Sequence, residues 1–350
     1  EQAKTAGNLE VHFIDVGQGD ATLIKCDGHS MLIDAGNNDK GTLVQNYLQH
    51  QGVETLDYVI GTHPDADHIG GMDVVLYKFD CKTIIMPDVA NNTRTYDDVV
   101  QTMKNKGYKT TYPVVGETYT IGGAAFTIIA PNKEYGNDMN SWSVGVLLQN
   151  GNHRFLFTGD AEEGAEQDIL QNGIDISADV YKVAHHGSNT ATSQAFLDAV
   201  HPTYAVISAG EGNSYGHPHA EVLNRLRAAG VSVFRTDEQG TIVAASDGTT
   251  LTWNMSPSES WQAGEAEKSQ NTEKSEKAAD NQNNAETDAA VSNPTDQTDG
   301  NSDVIVHITK TGEKYHSAGC QYLRKSDIEV TLSEAKARGL TPCSKCNPPQ

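Results

Sequence analysis

Between Leu9 and Trp253 the chain is a succession of short apolar runs broken by glycine, aspartate and proline, and this rhythm limits the folds open to it. LEVHFIDV, ATLIKC, SMLIDAG, LDYVIGTH and CKTIIMP read as strands. ETYTIGGAAFTIIAP gives two more, and WSVGVLLQNGNHRFLFTGD a hairpin turning at QNGN. ADVYKVAHHG, TYAVISAG, VSVFRT, GTIVAAS and TTLTW complete the strands. Helical spacing marks TLVQNYLQHQG, TYDDVVQTMKNKG, AEEGAEQDILQNG, SQAFLDAVHP and HAEVLNRLRAAG. Strands come in runs, with helices between only some of them. A doubly wound parallel sheet would alternate more strictly, so the pattern predicts an α+β chain, two mixed sheets packed face to face with helices outside.

The 350 residues suffice for one large core and a second small unit. A large domain is expected over 9–254. Residues 255–302 differ in kind: they are rich in Asn, Gln, Glu, Ser and Ala, with eleven acids against three lysines between Ser256 and Asp303. Such a stretch buries too little apolar surface to offset its ordering entropy and is expected to be a disordered acidic linker. A small module is expected over 303–350, too small for a core of its own without a staple.

The chemistry concentrates in THPDADHIGG, residues 62–71, where two imidazoles and two carboxylates crowd the end of an apolar run. At a strand mouth His63 and Asp65 share one side, and Asp67 and His68 lie just beyond. Two such groups can hold two divalent ions side by side, and mixed oxygen and imidazole ligands suit zinc or manganese. A bridging carboxylate and a further imidazole are then required. FLFTGDAE offers Asp160 and KVAHHGS offers His185 and His186, each at the end of an apolar strand. Two adjacent cations lower the pKa of a shared water and stabilise a phosphoryl transition state. GQGD, by contrast, is read as a tight turn, since no dinucleotide or P-loop fingerprint occurs. Asp34 in LIDAG is expected to be a structural hydrogen-bonding acid near the site.

FIDVGQGDATLI, LIDAG, THPDADHIGG, NSWSVGVLL, FLFTGD, KVAHHGS and SYGHPH, in this order over residues 9–253, resemble the metallo-β-lactamase fold superfamily, in particular the soluble nuclease-like domain of ComEC competence proteins and their secreted relatives. The resemblance implies an αββα sandwich and a metal-dependent phosphodiesterase, foremost a DNA nuclease using a hydroxide activated by two metal ions. It implies that His63 and Asp65 hold a first ion, Asp67 and His68 a second, and that Asp160 bridges them. His186 completes the second site, with His185 as the alternative. Asp67 would also orient the attacking hydroxide. His217 and His219 would contact phosphate, donate a proton or supply a missing ligand. The superfamily's usual HxHxDH has Asp65 in place of its second histidine, and Asn140 and Ser143 stand where its third-motif histidine is expected.

In the tail, YHSAGC and PCSKC bring His316, Cys320, Cys343 and Cys346, a four-ligand set for one structural zinc. The competing readings are a disulfide with a free thiol, or a redox pair. The segment resembles small zinc modules of secreted bacterial hydrolases and, faintly, the metal-binding domain of Ada-type repair proteins. Lys310, Lys314, Arg324, Lys325, Lys336, Arg338 and Lys345 make it locally basic, suited to DNA or an anionic cell-wall polymer, or simply a solvated face. Cys26 and Cys81 are expected to be plain buried thiols.

A net charge of −22 argues against a general electrostatic grip on nucleic acid, so DNA would be engaged through a local site and divalent metal. No run is long and apolar enough to span a membrane. The chain begins without a leader, as would a secreted or cell-surface bacterial protein after processing, or a cytosolic one. Oligomeric state is not encoded in any pattern here. Two rivals accompany the nuclease: a cell-wall choline-phosphate esterase or lactonase on the same fold, and a non-catalytic binding protein of that fold. A β-lactamase fits least, given Asp65 and YGHPH.

Overall fold

The protein was analysed as a computed structural model that describes residues 6–264 and parts of 305–346; two compact units, 1–275 and 276–350, are described separately. In the first unit the strands are β1 (Leu9–Phe13), β2 (Thr22–Cys26), β3 (His29–Ile33), β4 (Thr55–Ile60), β5 (Asp80–Ile85), β6 (Thr110–Thr111), β7 (Thr118–Ile121), β8 (Ala124–Ala130), β9 (Gly145–Asn150), β10 (His153–Phe157), β11 (Val180–Lys182), β12 (Tyr204–Ile207), β13 (Ser232–Arg235), β14 (Ile242–Ser246) and β15 (Leu251–Trp253). They form an eight-stranded sheet, β15-β14-β1-β2-β3-β4-β5-β6, and a seven-stranded sheet, β13-β12-β11-β10-β9-β8-β7. Both are mixed: β3 through β6 and β10 through β13 run parallel, the rest antiparallel.

The helices are α1 (Gly41–His50), α2 (Ala66–Ile69), α3 (Met72–Lys78), α4 (Arg94–Lys106), α5 (Glu163–Gln171), α6 (Gln194–Val200), α7 (Ala220–Ala228) and α8 (Thr236–Gln239). Strand alternation distributes the apolar residues among three cores. Val11, Phe13, Ile24, Met31, Val146, Phe155 and Val206 fill the space between the sheets. Leu23, Leu32, Val59, Val44 and Val75 pack the first sheet against α1 and α3. Tyr181, Ala205, Ile207, Phe196 and Leu223 pack the second against α6 and α7. The result is the predicted αββα sandwich. Parallel strands β4, β10, β11 and β12 send their C-terminal ends to one edge, and the chemistry-bearing motifs follow these ends.

The expected linker begins later than its composition suggested. Residues 255–264 lie against the sandwich: Ser258 N–H donates to Val233 O (2.7 Å), Gly264 N–H to Pro218 O (2.9 Å), and the Arg235 guanidinium to Gln262 O (2.6 Å). Trp261 packs on the outer core beneath Arg227, whose guanidinium lies 4.8 Å from the ring centre. One indole supplies the apolar area that the average composition hid. Residues 265–302 lie outside the described residues.

The second unit contains β16 (Ile305–Ile308), β17 (Lys314–His316), β18 (Ile328–Thr331), β19 (Thr341–Pro342) and α9 (Leu332–Ala337), with sheet order β18-β16-β17-β19. Among its described residues Val306, Ile308, Tyr315, Val330, Leu332 and Ala335 form one buried apolar cluster, and Leu323 and Cys343 a second. Strands of two to four residues are too short to announce themselves by alternation, so the tail holds more sheet than its sequence suggests.

Candidate metal centre

Strand alternation does not in fact place the HPDADH side chains. The strand ends at Ile60, Gly61 and Pro64 break it, and Asp65, with φ −86° and ψ 151°, enters the four-residue helix α2. His63 therefore belongs to the connecting segment, while Asp67 and His68 lie on the helix. Two glycines must follow because α2 sits backbone to backbone on the β3–α1 turn. A Cβ on Gly70 would fall 2.3 Å from Asn38 N, and one on Gly71 2.3 Å from Ala35 O.

Four ligand-type groups converge: one atom each of Asp67, His68, Asp160 and His186, all within 4.8 Å of one another. His68 Nε2 is 3.1 Å from Asp160 Oδ1. His186 Nε2 is 3.3 Å from Asp67 Oδ2 and 3.5 Å from Asp160 Oδ2. His63 Nε2 lies 3.8 Å from Asp65 Oδ2, whose carboxylate is 40% exposed and accepts from Asn91 Nδ2. The Nε2 atoms of His63, His68 and His186 and Oδ1 of Asp160 are buried and make no hydrogen bond within the protein. Buried polar atoms are rarely left so. Two such imidazole nitrogens against Asp160, of His68 and His186, and a third, of His63, against Asp65 fit divalent cations.

Outer partners fix each ring. His68 Nδ1 donates to Asp34 Oδ2 (2.8 Å), and Asp34 also accepts the N–H and O–H of Thr62 (2.8 and 2.7 Å). Asp34 holds a left-handed φ of 58° to do this. His186 Nδ1 donates to Ser208 O (3.0 Å) and faces Asp20 Oδ1 at 3.3 Å. Ser143, at the position of the missing histidine, places its Oγ 3.3 Å from His63 Nδ1 and accepts Asp160 N–H (3.0 Å). Asn140 donates to Glu162 Oε1 (3.2 Å) instead of joining the cluster.

The electrostatics follow the crowding. Burial pushes His63 down to about 3, assisted by the imidazole of His68. Burial also opposes charge on His68 and His186, but Asp160 with Asp34 outweighs it for one and Asp160 with Asp20 for the other, so both lie well above the ordinary 6.5. Asp67 is lowered to about 2 and Asp160 well below its usual range, since histidine partners outweigh burial. Asp34 is raised, because its burial dominates. The carboxylates of the cluster favour positive charge beside them, as a set of cation ligands does.

His185 and His186 occupy a turn after β11, both in the left-handed region (φ 50° and 54°). His186 is 1% exposed. His185 is more open; its Nε2 lies 3.6 Å from Asp160 Oδ2, while Nδ1 faces Glu162 (3.5 Å) and Thr190 (3.2 Å). His217 stacks on His186, ring centres 6.1 Å apart, and meets His185 edge-on at 5.6 Å. His219 lies 4.8 Å beyond His217, accepts Asn189 N–H and approaches Tyr215 O. Gln18, its amide oxygen fixed by Gly210 N–H, turns Nε2 toward His217 Nδ1 (3.4 Å). The neutral His217 ring so held carries its proton on Nε2.

Lys182, Thr62, Glu162 and Asn91 were not singled out by sequence reasoning. Only Lys182 left a signal, a charged letter at an inward position of the alternating strand VYK. Cys26 and Cys81 are buried, and burial pushes the Cys81 thiol up to about 12. In the second unit His316, Cys343 and Cys346 offer ligand atoms within 4.8 Å of one another; Cys320 lies outside the described residues.

The profile of the Metallo-beta-lactamase superfamily matches residues 14–211. ComE operon protein 3 of Bacillus subtilis is 31% identical over 255 residues, covering 67% of this chain and 32% of that protein. Recombination protein 2 of Haemophilus influenzae is 33% identical over 238 residues, covering 67% and 28%. The matched region thus spans about a third of these relatives. Among solved structures, the metallo-beta-lactamase fold protein YhfI of Bacillus subtilis is similar at 13% identity and a TM-score of 0.46, covering 70% of this chain and 99% of that one. With the profile matched over more than half of its length, and with relatives among the competence proteins, the chain belongs to the metallo-beta-lactamase superfamily.

Proposed function

We propose that this protein is a secreted or cell-surface metal-dependent phosphodiesterase that cleaves DNA. The observation that carries the reading is the convergence of Asp67, His68, Asp160 and His186, with their facing nitrogens unbonded. These four would hold one divalent ion, zinc or manganese. His63 and Asp65, sharing Asp160, would hold a second. Divalent cations there supply Lewis acidity and lower the pKa of a water. Asp67, partly open to solvent, is suited to orient that water. His217 would donate a hydrogen bond from Nε2 to a phosphoryl oxygen, and the open His185 is placed to do the same. DNA as substrate draws support from relatives named competence and recombination proteins. In the tail, His316, Cys320, Cys343 and Cys346 would staple the small unit around one zinc.

One observation favours the runner-up, an esterase acting on choline-phosphate groups of a wall polymer. A cleft of about 510 Å³ lined by Asp15, Gln18, Glu211, Asn213 and Asp237 adjoins His217 through Gln18. Asp237 pairs with Arg235, but the carboxylates of Asp15 and Glu211 disfavour a second phosphate and suit a cationic head group. Parallel assays of the manganese- and zinc-loaded protein on linear DNA and on p-nitrophenyl phosphorylcholine separate the two. Turnover of DNA with little of the choline ester supports the nuclease; the reverse moves the assignment to the esterase.

A further inference from the structure

Lys182 is a lysine aimed into the interior of the sandwich. It follows Val180 and Tyr181 on β11, so it shares the inward side of Val180, and it is 3% exposed. An ammonium there is costly unless paired and fully hydrogen-bonded. It is both: Nζ lies 2.9 Å from Asp20 Oδ2 and donates to Val183 O at 3.0 Å. Asp20 is 5% exposed and belongs to the other half of the molecule, in the turn between β1 and β2.

Asp20 is tied to both halves of the candidate centre. Its N–H donates to Asp67 O (3.0 Å), and its own carbonyl accepts Gly36 N–H (2.8 Å), which anchors it to the first sheet and to α2. Its Oδ1 faces the Nδ1 edge of His186, which the second sheet delivers. Gly19 keeps the approach close: a Cβ there would fall 2.4 Å from Asp67 O. The pair Lys182–Asp20 therefore spans the two sheets directly beneath the point where Asp67 Oδ2 and His186 Nε2 come within 3.3 Å.

We propose that Lys182 and Asp20 form a positioning strut that sets the spacing between Asp67 on the first sheet and His186 on the second. Neither residue is among the four that converge on the candidate centre; Lys182 acts through Asp20, and Asp20 through the His186 ring and the Asp67 backbone. The inference rests on the metal-centre reading above. Outer partners of metal ligands commonly change affinity by about 10–100-fold when removed. The pair resists separation because both charges are buried, where their attraction is little screened and neither has water to turn to, and Nζ is held a second time by Val183 O.

The test compares wild type with Lys182→Met, Lys182→Arg, Asp20→Asn and Leu148→Ala, the last an inter-sheet core change remote from the cluster. Manganese affinity per folded molecule is measured by titration, the bound ion's environment by electron paramagnetic resonance, and folding by thermal melting. The expected result is an affinity loss of about 10–100-fold for Lys182→Met and Asp20→Asn, with altered manganese spectra. Lys182→Arg recovers most of the affinity, and Leu148→Ala lowers the melting temperature alone. If Lys182→Met does not fold, the Asp20→Asn and Lys182→Arg arms carry the comparison. Wild-type affinity in folded Lys182→Met or Asp20→Asn overturns the strut and leaves the metal centre standing. A wild type that binds no metal overturns both.

Discussion

His68 Nε2 and Asp160 Oδ1 lie 3.1 Å apart at the centre of the cluster, both buried, neither hydrogen-bonded within the protein. Asp160 also faces His186 and His185, so three imidazoles share it. Replacing Asp160 with alanine is expected to cost more metal affinity than any outer-partner change, beyond the about 100-fold upper range of such effects. Metal content after gel filtration checks this: wild type retains manganese or zinc, the variant does not.

Asp34→Asn is expected to weaken metal binding by about 10–100-fold with the fold intact. The asparagine keeps a side-chain carbonyl for Thr62 N–H but sets an amide NH2 where Oδ2 accepts from Thr62 O–H and His68 Nδ1. Titration with a competing chelator reads the change.

The metal-free protein should be most stable near about pH 6.5, since the lowered values of His63 and His217 cost stability as pH falls below the ordinary imidazole value. His68 and His186 have raised folded values, so their contribution is complete below about 6.5, the ordinary imidazole value, and is lost as pH rises through the folded values. Asp160 and Asp20 have depressed folded values, so theirs is present above the ordinary 3.8 and is lost as pH falls. Melting temperatures of the chelator-treated protein should therefore decline above pH 6.5. Saturating manganese should remove that decline, because it holds both rings unprotonated. A metal-free protein growing more stable through this range would contradict the assignment of charge.

His217 is drawn down to about 4, by burial first and then by the imidazoles of His186, His219 and His185. At neutral pH it is a hydrogen-bond donor, not an acid. His217→Ala should lower kcat by about 10²–10³-fold, the scale for a lost transition-state donor. The shape of the pH–rate profile from about pH 6 to about pH 9 should be unchanged. Loss of a limb of that profile would instead identify His217 as the proton source.

Gly70→Ala tests why glycines follow the motif. The added methyl meets Asn38 N at 2.3 Å, although the backbone, at φ −60°, accepts any residue. The expected cost is about 1–3 kcal/mol of stability, typical of overpacking, read by denaturant titration, with weaker metal binding as α2 shifts.

Much of this was legible because strand ends advertise themselves. Asp160 follows an uninterrupted apolar strand and a glycine, and the pair of histidines closes KVAHHG, so each could be placed at a sheet edge. The layered fold followed from strands arriving in runs. The choice between His185 and His186 was not legible. Both are in left-handed conformations, and only burial and ring direction distinguish them. Alternation also misled within HPDADH, because a glycine and a proline replace strand by helix before Asp67. Lys182 escaped notice because one charge in a short strand reads as an edge residue until its partner, 162 positions earlier in the chain, is seen opposite. Residues 255–264 were hidden by averaging, since Trp261 alone anchors a segment otherwise polar.

The central claim is a metal-dependent phosphodiesterase acting on DNA. The measurement that tests it most directly is cleavage of linear and single-stranded DNA by the manganese- or zinc-loaded protein, with Asp160→Ala alongside and metal content determined in both. Cleavage by the wild type, abolished by chelator and absent in the variant, is the predicted result. A wild type that holds its metal yet leaves both forms of DNA intact would contradict it.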